Sequence, residues 1–205
     1  MNLLAIVGSP RKGKSTDTLT DKAIEGFVSE HPDGEAKKLH LADYNLHHCR
    51  NCLACMKNTD ASPYVRCVIH DGMDDLYEDI VASDALLFGT PVHMGYATAL
   101  MTQFMERICW TFSKSEKSYL VVKGCPLPRS EKKRTAAIIV TSGMIKPLFR
   151  RFCDQATPFI TGVAADSLNA KTVASLYAGD ILHRSADYYG NAAFKLGKKL
   201  GKKSG

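Results

Sequence analysis

The residues best suited to binding a phosphate lie in a loop at residues 8–15, which reads Gly-Ser-Pro-Arg-Lys-Gly-Lys-Ser. This loop fits the pattern G-x-x-x-x-G-K-[ST], in which backbone N–H groups and a lysine surround a nucleotide triphosphate. The physical basis is broader, because free N–H groups at a helix start, together with hydroxyls and cations, bind any phosphate. We therefore predict a phosphate site here and take the kind of phosphate from the rest of the chain.

A triphosphate site also needs an apolar strand that ends in an acidic residue, because that carboxylate holds the magnesium ion. The apolar runs at 85–89 and 136–140 end in Thr90 and Thr141 instead, and Asp180 is separated from its apolar run by two residues. A P-loop protein that binds nucleotide triphosphates is therefore kept as a remote alternative. A glycine-rich turn without a ligand is the other alternative.

Four cysteines, Cys49, Cys52, Cys55 and Cys67, form the second candidate site. The C-x2-C-x2-C spacing of the first three suits an iron–sulfur cluster, with a fourth thiolate supplied from further along the chain. Four thiolates also suit tetrahedral zinc, and unliganded or redox-active thiols are a third interpretation. The spacing alone leaves all three open.

The three remaining cysteines are assigned no chemistry. Cys109 and Cys153 fall on predicted helices and are expected to be small core residues, whereas Cys125 lies in a polar segment without an evident partner. The total of seven cysteines is odd, and disulfide frameworks are typical of small exported domains. Metal binding or redox chemistry is therefore the better interpretation of the cysteine content.

The elements that position these residues alternate between short apolar strands and amphipathic helices. Strands are predicted at 3–7, 35–41, 85–89, 135–140 and 172–177, and helices from residue 16 and at 72–82, 100–108, 145–156 and 186–200. Parallel strands need crossover connections, so the alternation predicts a doubly wound, five-stranded parallel α/β sheet. Residues 47–71 are expected to be an irregular, cysteine-rich insertion, and residues 112–134 a polar loop.

The composition, 45% hydrophobic and 23% charged, is that of a globular protein, and we predict one domain over residues 1–205. The net charge is +6, but five lysines crowd a basic tail at 195–205, which is more typical of a solvated helix end than of a nucleic-acid site. The apolar runs are too short to cross a membrane, and basic residues follow the first run rather than precede it. We expect a cytoplasmic protein that binds neither nucleic acid nor membranes.

Three patches of the sequence resemble the flavodoxin-like NAD(P)H-dependent FMN reductases, near their iron–sulfur flavoprotein branch. The first patch is Gly8-Ser9-Pro10-Arg11 with Ser15, Thr16 and Leu19. The second is the set of four clustered cysteines followed by Asp71-Gly72-Met73. The third is Thr90-Pro91-Val92-His93-Met94-Gly95, continuing to Phe104-Met105-Glu106-Arg107. The patches span residues 1 to about 110, and a weaker likeness extends to the end of the chain.

The resemblance implies a sheet of order 2-1-3-4-5, which places FMN at the switch between strands one and three. The first loop would hold the FMN phosphate, and the loops after strands three and four would lie along the isoalloxazine ring. His93 is expected to stack on the ring or bond its carbonyl oxygen, unless it is an ordinary loop histidine. The expected FMN-binding residues are Ser9, Arg11, Lys12, Ser15, Thr16, Pro91, Val92, His93, Met94, Gly95, Thr141, Ser142 and Gly143.

The implied function is that of an oxidoreductase that passes hydride from NAD(P)H to FMN and on to a flavin- or quinone-type acceptor. No catalytic side chain is expected, since the flavin carries the reaction. The alternative is an iron–sulfur flavoprotein electron carrier with a [4Fe–4S] cluster on the four cysteines. The acceptor is a small molecule or a protein, and the resemblance implies a homodimer or homotetramer. No separate fingerprint distinguishes NADH from NADPH.

Overall fold

A computed structural model describes residues 1–204. Gly205, the last residue of the predicted basic tail, lies outside the described residues, as do the side chains of Lys117 and Tyr119. The strands are β1 (Asn2–Val7), β2 (Glu35–His40), β3 (Ala85–His93), β4 (Tyr96–Ala97), β5 (Ser113–Tyr119), β6 (Val122–Pro128), β7 (Arg134–Thr141) and β8 (Ala170–Ala178). The α-helices are α1 (Ser15–Val28), α2 (Ala54–Lys57), α3 (Tyr77–Ala82), α4 (Ala99–Thr111), α5 (Arg150–Cys153), α6 (Ala156–Leu168), α7 (Ile181–Arg184) and α8 (Asp187–Ser204).

The central sheet has the order β2-β1-β3-β7-β8, and all of its neighbouring strands are parallel. Counted along the chain, these five strands have the predicted order 2-1-3-4-5, so the predicted fold is confirmed. The one addition is β4, which pairs antiparallel with the end of β3.

Side chains along each strand alternate between two helical layers, because successive residues of a strand point to opposite faces. Leu4, Ile6 and Phe88 pack against α4 and α6 on one face. Leu3 and Leu87 pack against α1 and α8 on the other. Both faces of the sheet are therefore buried, as a doubly wound fold requires.

Helices α1 and α8 pack with their backbones in contact. A Cβ atom added to Gly197 would lie 1.8 Å from the carbonyl oxygen of Ala23, and one added to Gly26 would lie 2.1 Å from that of Phe194. Only glycine permits this approach. Because α8 continues through Ser204, most of the predicted basic tail is helical, and Lys202 and Lys203 lie at the helix C-terminus, where positive charge is favoured.

The prediction of a polar loop at 112–134 is wrong, because β5 and β6 form a two-stranded hairpin around a tip at Leu120-Val121. Pro126 and Pro128 indicated a loop, yet both lie on β6. A hairpin leaves one edge of each strand unpaired. Proline, which has no backbone N–H, is tolerated where that group would face the unpaired edge.

The helix predicted at 72–82 begins only at Tyr77. The carboxylate of Asp71 accepts a hydrogen bond from the backbone N–H of Met73, and the next residues form tight turns. Met73 and Leu76 remain buried, so the apolar periodicity predicted burial correctly and the helix start incorrectly.

The helix predicted at 145–156 is a 3₁₀ turn, Pro147–Phe149, followed by α5. The longer α6 was not predicted, although Ala156, Ile160 and Ala164 are buried at helical spacing. Pro158 and the β-branched residues obscured this pattern, but proline is tolerated in the first turn of a helix. Cys109 and Cys153 lie on helices as predicted but are half-buried rather than core residues.

Residues 47–71 contain the single turn of α2 and no other helix or strand. No helix among residues 1–204 is long and apolar enough to cross a membrane.

We predict that Gly197→Ala lowers the free energy of unfolding by about 1–3 kcal/mol, because the added methyl group forces α1 and α8 apart. Gly190→Ala is the matched control on the same helix, since nothing lies within 4 Å of its added Cβ. The control is expected to be neutral or to stabilise by up to about 1 kcal/mol. Chemical denaturation of both variants measures the difference, and equal stabilities would contradict the close packing.

Candidate functional site

Three loops meet where β1, β3 and β7 end at one edge of the sheet. We call them the first loop (residues 8–15), the second loop (residues 90–97) and the third loop (residues 141–146). The backbone N–H of Gly8 donates to the carbonyl of Gly89 over 2.8 Å, and Pro91 pairs in register with Thr141. The ends of these strands therefore adjoin, and the three loops that carry the residues predicted to bind FMN begin at the same edge of the sheet.

The hydroxyl of Thr98 joins the first two loops to α4. It donates to the carbonyl oxygen of Gly8 over 2.6 Å and accepts from the N–H of Met101, which caps the helix. The N–H of Thr98 donates to the hydroxyl of Thr90. Thr90 and Thr98 are both buried, so these bonds are shielded from competing water.

A second buried contact joins the first helix to the third loop. The hydroxyls of Thr16 and Thr141 lie 2.7 Å apart, and both residues are almost fully buried. Of the three hydroxyls predicted to bind the phosphate, that of Thr16 is therefore engaged with Thr141, and that of Ser9 is engaged with the backbone of Arg11. Ser15, the residue before Thr16, is half-buried, and its side chain makes no hydrogen bond to the described residues.

The first loop presents unpaired positive charge at the start of α1. No side chain caps this 14-residue helix, whose first N–H groups lack partners within the helix. Arg11 and Lys14 are exposed, and their side chains make no hydrogen bond or ion pair to the described residues. Lys12 differs, because its ammonium group lies 2.6 Å from the carboxylate of Asp43. The loop therefore offers donors and charge to an anion.

Asp17 occupies one donor that a triphosphate loop would need. Its carboxylate accepts from the N–H of Gly13 over 2.6 Å and pairs with Lys38 over 2.8 Å. Burial raises the pKa of Asp17, but the bonds from Lys38 and Gly13 outweigh it and hold the pKa below its usual value. The resulting negative charge beside Gly13 disfavours the triphosphate alternative.

The second loop is a tight hairpin turn rather than an irregular loop. His93 pairs with Tyr96, and the two residues between them, Met94 and Gly95, both have positive φ angles of 51° and 87°. His93 and Met94 are exposed, and Met94 is 96% accessible. The turn is fixed from outside by a 2.8 Å bond from the N–H of Gln155 to the carbonyl of Gly95.

The third loop is held by the chain that follows β8. The N–H of Ser142 donates to the carbonyl of Ala178, and the carbonyls of Ser142 and Gly143 accept from Ile181 and Leu182. Ser142 is buried, whereas Gly143 faces solvent. This loop therefore has a fixed backbone and one exposed face.

The cysteine segment, residues 47–71, is fixed to α4 at both of its ends by Arg107. The buried guanidinium group forms a bidentate pair with Asp71, at 2.6 and 3.1 Å, and donates to the carbonyls of His47 and Ile69. The side chains of Arg107 and Asp71 are each 1% exposed. We call this arrangement the Arg107 clasp.

The clasp depends on Asp71 being ionised. Burial raises the pKa of Asp71, but bonds from Arg107 and from the N–H groups of His47 and Met73 outweigh it and lower the pKa to about 2. The negative charge of Asp71 is therefore present at neutral pH and balances the positive charge of Arg107.

The four clustered cysteines lie within this segment, two of them exposed and two half-buried. Burial raises the pKa of Cys55, and electrostatic interaction with the thiols of Cys67, Cys49 and Cys52 raises it further. Within residues 1–204, however, no three histidine, cysteine or acidic side chains are arranged to hold a metal ion. The iron–sulfur cluster, zinc and free-thiol interpretations all remain predictions.

Three residues that position the loops and the cysteine segment were given no such role from the sequence. Thr98 carried a signal, since a threonine directly before an apolar helix is a typical N-cap. Arg107 carried a weaker one, because it is a charge within the apolar stripe of α4. Buried Arg129, which donates to the carbonyls of Cys55, Asn58 and Asp60, carried none because its contacts are distant in sequence.

We predict that Asp71→Asn destabilises the protein by about 2 kcal/mol at neutral pH, because the pKa of Asp71 lies well below its unfolded value. The carboxylate stabilises the fold above its unfolded pKa, and this contribution is lost as the pH falls through the folded value. The stability difference from the wild type should therefore shrink between about pH 4 and pH 2. Denaturation at several pH values measures it. Asp75→Asn, an exposed neighbour, is the control, and a pH-independent difference would contradict the interpretation.

The sequence model of the family described as NADPH-dependent FMN reductase matches residues 1–150. An iron-sulfur flavoprotein of Archaeoglobus fulgidus is 30% identical over 108 residues, and one of Methanosarcina thermophila is 31% identical over 107 residues. These matches cover 53% and 52% of this chain but only 46% and 52% of those proteins. The chain thus spans about half the length of these relatives.

The NAD(P)H:quinone oxidoreductase from Methanothermobacter marburgensis has a similar solved structure, with a TM-score of 0.69, 14% identity and coverage of 98% of both chains. At this identity the likeness concerns the fold. The family match confirms the predicted resemblance. Since the match covers most of its length, the chain belongs to the NADPH-dependent FMN reductase family.

Proposed function

We propose that this protein binds FMN at the three-loop edge and acts as an NAD(P)H-dependent oxidoreductase toward a small-molecule or protein acceptor. The observation that carries the proposal is the uncapped start of α1 with the unpaired cations Arg11 and Lys14, next to two further loops at the same sheet edge. A phosphate at one end and a planar group along two loops match this shape.

The residues of the first loop fit a phosphate monoester. The N–H groups at the start of α1 and the hydroxyl of Ser15 supply donors, and Arg11 supplies a bidentate cation. The hydroxyl of Ser9 accepts from the N–H of Arg11 over 3.2 Å, which shapes the loop before any ligand arrives. Such preorganisation lowers the ordering cost of binding.

The second and third loops fit a flat ring. A Cβ on Gly8, at the start of the first loop, would lie 2.7 Å from that of Met101, and one on Gly89, just before the second loop, would lie 2.6 Å from the hydroxyl of Thr20. The first and second loops therefore leave the sheet in close contact with helices. The exposed turn at His93 and Met94 and the exposed Gly143 then flank the edge. FMN, when bound, would supply the transfer of hydride and electrons, while these residues orient it and exclude water.

A second candidate, an iron–sulfur electron carrier, is favoured by the C-x2-C-x2-C spacing of Cys49, Cys52 and Cys55 and by the fourth thiol, Cys67, in the same segment. The two relatives described above carry the name iron-sulfur flavoprotein. The absence of a prearranged ligand set in residues 1–204 means that the segment would have to rearrange around a metal or cluster. We assign no step of the reaction to it.

A homodimer or homotetramer is part of the proposal. Large apolar side chains are exposed at and beside the three-loop edge, which is typical of surfaces that another chain covers. They are Met94, Tyr96, Met144, Leu148, Phe149, Phe152 and Leu182.

We also propose that the protein is cytoplasmic and forms one domain.

We predict that Arg11→Ala raises the dissociation constant for FMN by about tenfold or more and leaves that for riboflavin, which lacks the phosphate, unchanged. Fluorescence titration of both flavins measures this, and Arg11→Lys is expected to recover part of the affinity. Lys199→Ala, an exposed charge on α8 toward the opposite sheet edge, is the control. Equal losses for FMN and riboflavin would contradict a phosphate site at Arg11.

For the second candidate, protein purified without oxygen is assayed for flavin absorbance, iron and acid-labile sulfide. A [4Fe–4S] cluster predicts about four irons per chain, lost in Cys55→Ser and retained in Cys125→Ser. Flavin bands without iron or sulfide, together with rapid oxidation of NADPH, would contradict the electron carrier and support the oxidoreductase.

A further inference from the structure

A cleft of about 650 Å³ lies beside α5, next to the three-loop edge. It is lined on one side by Arg150, Arg151 and Asp154 and continues to Gln155 and Thr157. The N–H of Gln155 bonds the carbonyl of Gly95 in the second loop. The cleft therefore opens directly beside the turn that we propose to lie along the flavin.

Arg150 is fixed in the wall of this cleft. Its Nε donates to the carboxylate of Asp154 over 2.8 Å, and its Nη2 lies within bonding distance of the hydroxyls of Thr157 and Ser175, whereas its Nη1 has no partner among the described residues. Asp154 is buried and also bonds Thr157 at both the N–H and the hydroxyl. The guanidinium group is thus held rigidly with one donor group unused.

Arg151, the next residue along the chain, is available to bind a ligand. It is exposed, and its side chain makes no hydrogen bond or ion pair to residues 1–204. Behind Arg150 lies the ring of Tyr177, 5.8 Å from the guanidinium carbon, and its buried hydroxyl has no hydrogen-bond partner in the described chain.

We propose that this cleft is an anion subsite for the second substrate of the flavin reaction, with Arg151 and Arg150 as specificity-determining residues for a phosphate, sulfonate or carboxylate group. The inference rests on the proposed function, because it is the position beside the second loop that assigns the cleft to a flavin substrate. Asp154 offsets one of the two arginine charges, so the cleft retains a net positive charge at Arg151.

Two kinds of substrate carry such a group. One is the 2′-phosphate that distinguishes NADPH from NADH, and the other is an anionic substituent on an aromatic electron acceptor. Both would place a planar group toward the second loop and an anion between the arginines. The shared chemistry is recognition of an organic anion by guanidinium groups.

The test is calorimetric titration of the FMN-loaded wild type, Arg151→Ala and the control Lys199→Ala. The probes are adenosine 2′,5′-bisphosphate against adenosine 5′-monophosphate, and anthraquinone-2-sulfonate against the neutral 2-methyl-1,4-naphthoquinone. We expect Arg151→Ala to weaken binding of the bisphosphate, the sulfonate or both by about tenfold, with the matched probe unchanged. Loss for the bisphosphate alone identifies the nicotinamide substrate, and loss for the sulfonate alone identifies the acceptor.

Unchanged binding of all four probes in Arg151→Ala would overturn the proposal, as would equal losses in Lys199→Ala. A changed oligomeric state without a change in binding would also overturn it, because the cleft would then be a contact between subunits. The titration needs no turnover. Failure to oxidise NAD(P)H with normal probe binding would therefore contradict the proposed function and leave the anion subsite standing.

Discussion

The hydroxyl of Thr98 donates to the carbonyl of Gly8 and accepts from the first turn of α4, and through these two bonds the end of β1 is fixed to the helix that follows β3. Parallel strands bring their carboxyl ends to one edge without specifying how the loops beyond them sit. Thr98, its partner Thr90 and the Thr16–Thr141 contact supply that specification with buried hydroxyls. The phosphate end and the ring end of the proposed flavin site are therefore set by the same small group of bonds.

The same edge shows how charge is divided between structure and binding. Lys12 and Lys38 are neutralised by carboxylates within the protein, whereas Arg11 and Lys14 have no acidic partner in the described part of the chain. Around α5, Arg150 is paired with Asp154, and Arg151 has no partner among the same residues. At each place one cation belongs to the scaffold and its neighbour faces solvent, which is the distribution expected where an anionic ligand completes the charge balance.

The strands and the loops that follow them were predictable because a buried parallel strand is a short continuous apolar run. The order of the strands came from the family resemblance. The hairpin of β5 and β6 was not, since its prolines and polar residues lack a regular period and its pairing is antiparallel and local. The clasp at Arg107 and the contacts of Arg129 join residues more than 30 positions apart, which no local pattern encodes. For the cysteines, spacing gave the ligand types but not their arrangement in space.

The Arg107 clasp also bears on how this chain tolerates change in length. Because one guanidinium group holds both His47 and Asp71, the residues between them form a closed loop whose ends do not move when its middle does. Lengthening such a loop costs closure entropy that grows only with the logarithm of its length, about 0.6 kcal/mol for each doubling. Insertions between Asp60 and Tyr64 are thus expected to disturb the sheet little, whereas the carbonyls of Cys55, Asn58 and Asp60 must stay in place because they bind the buried guanidinium group of Arg129.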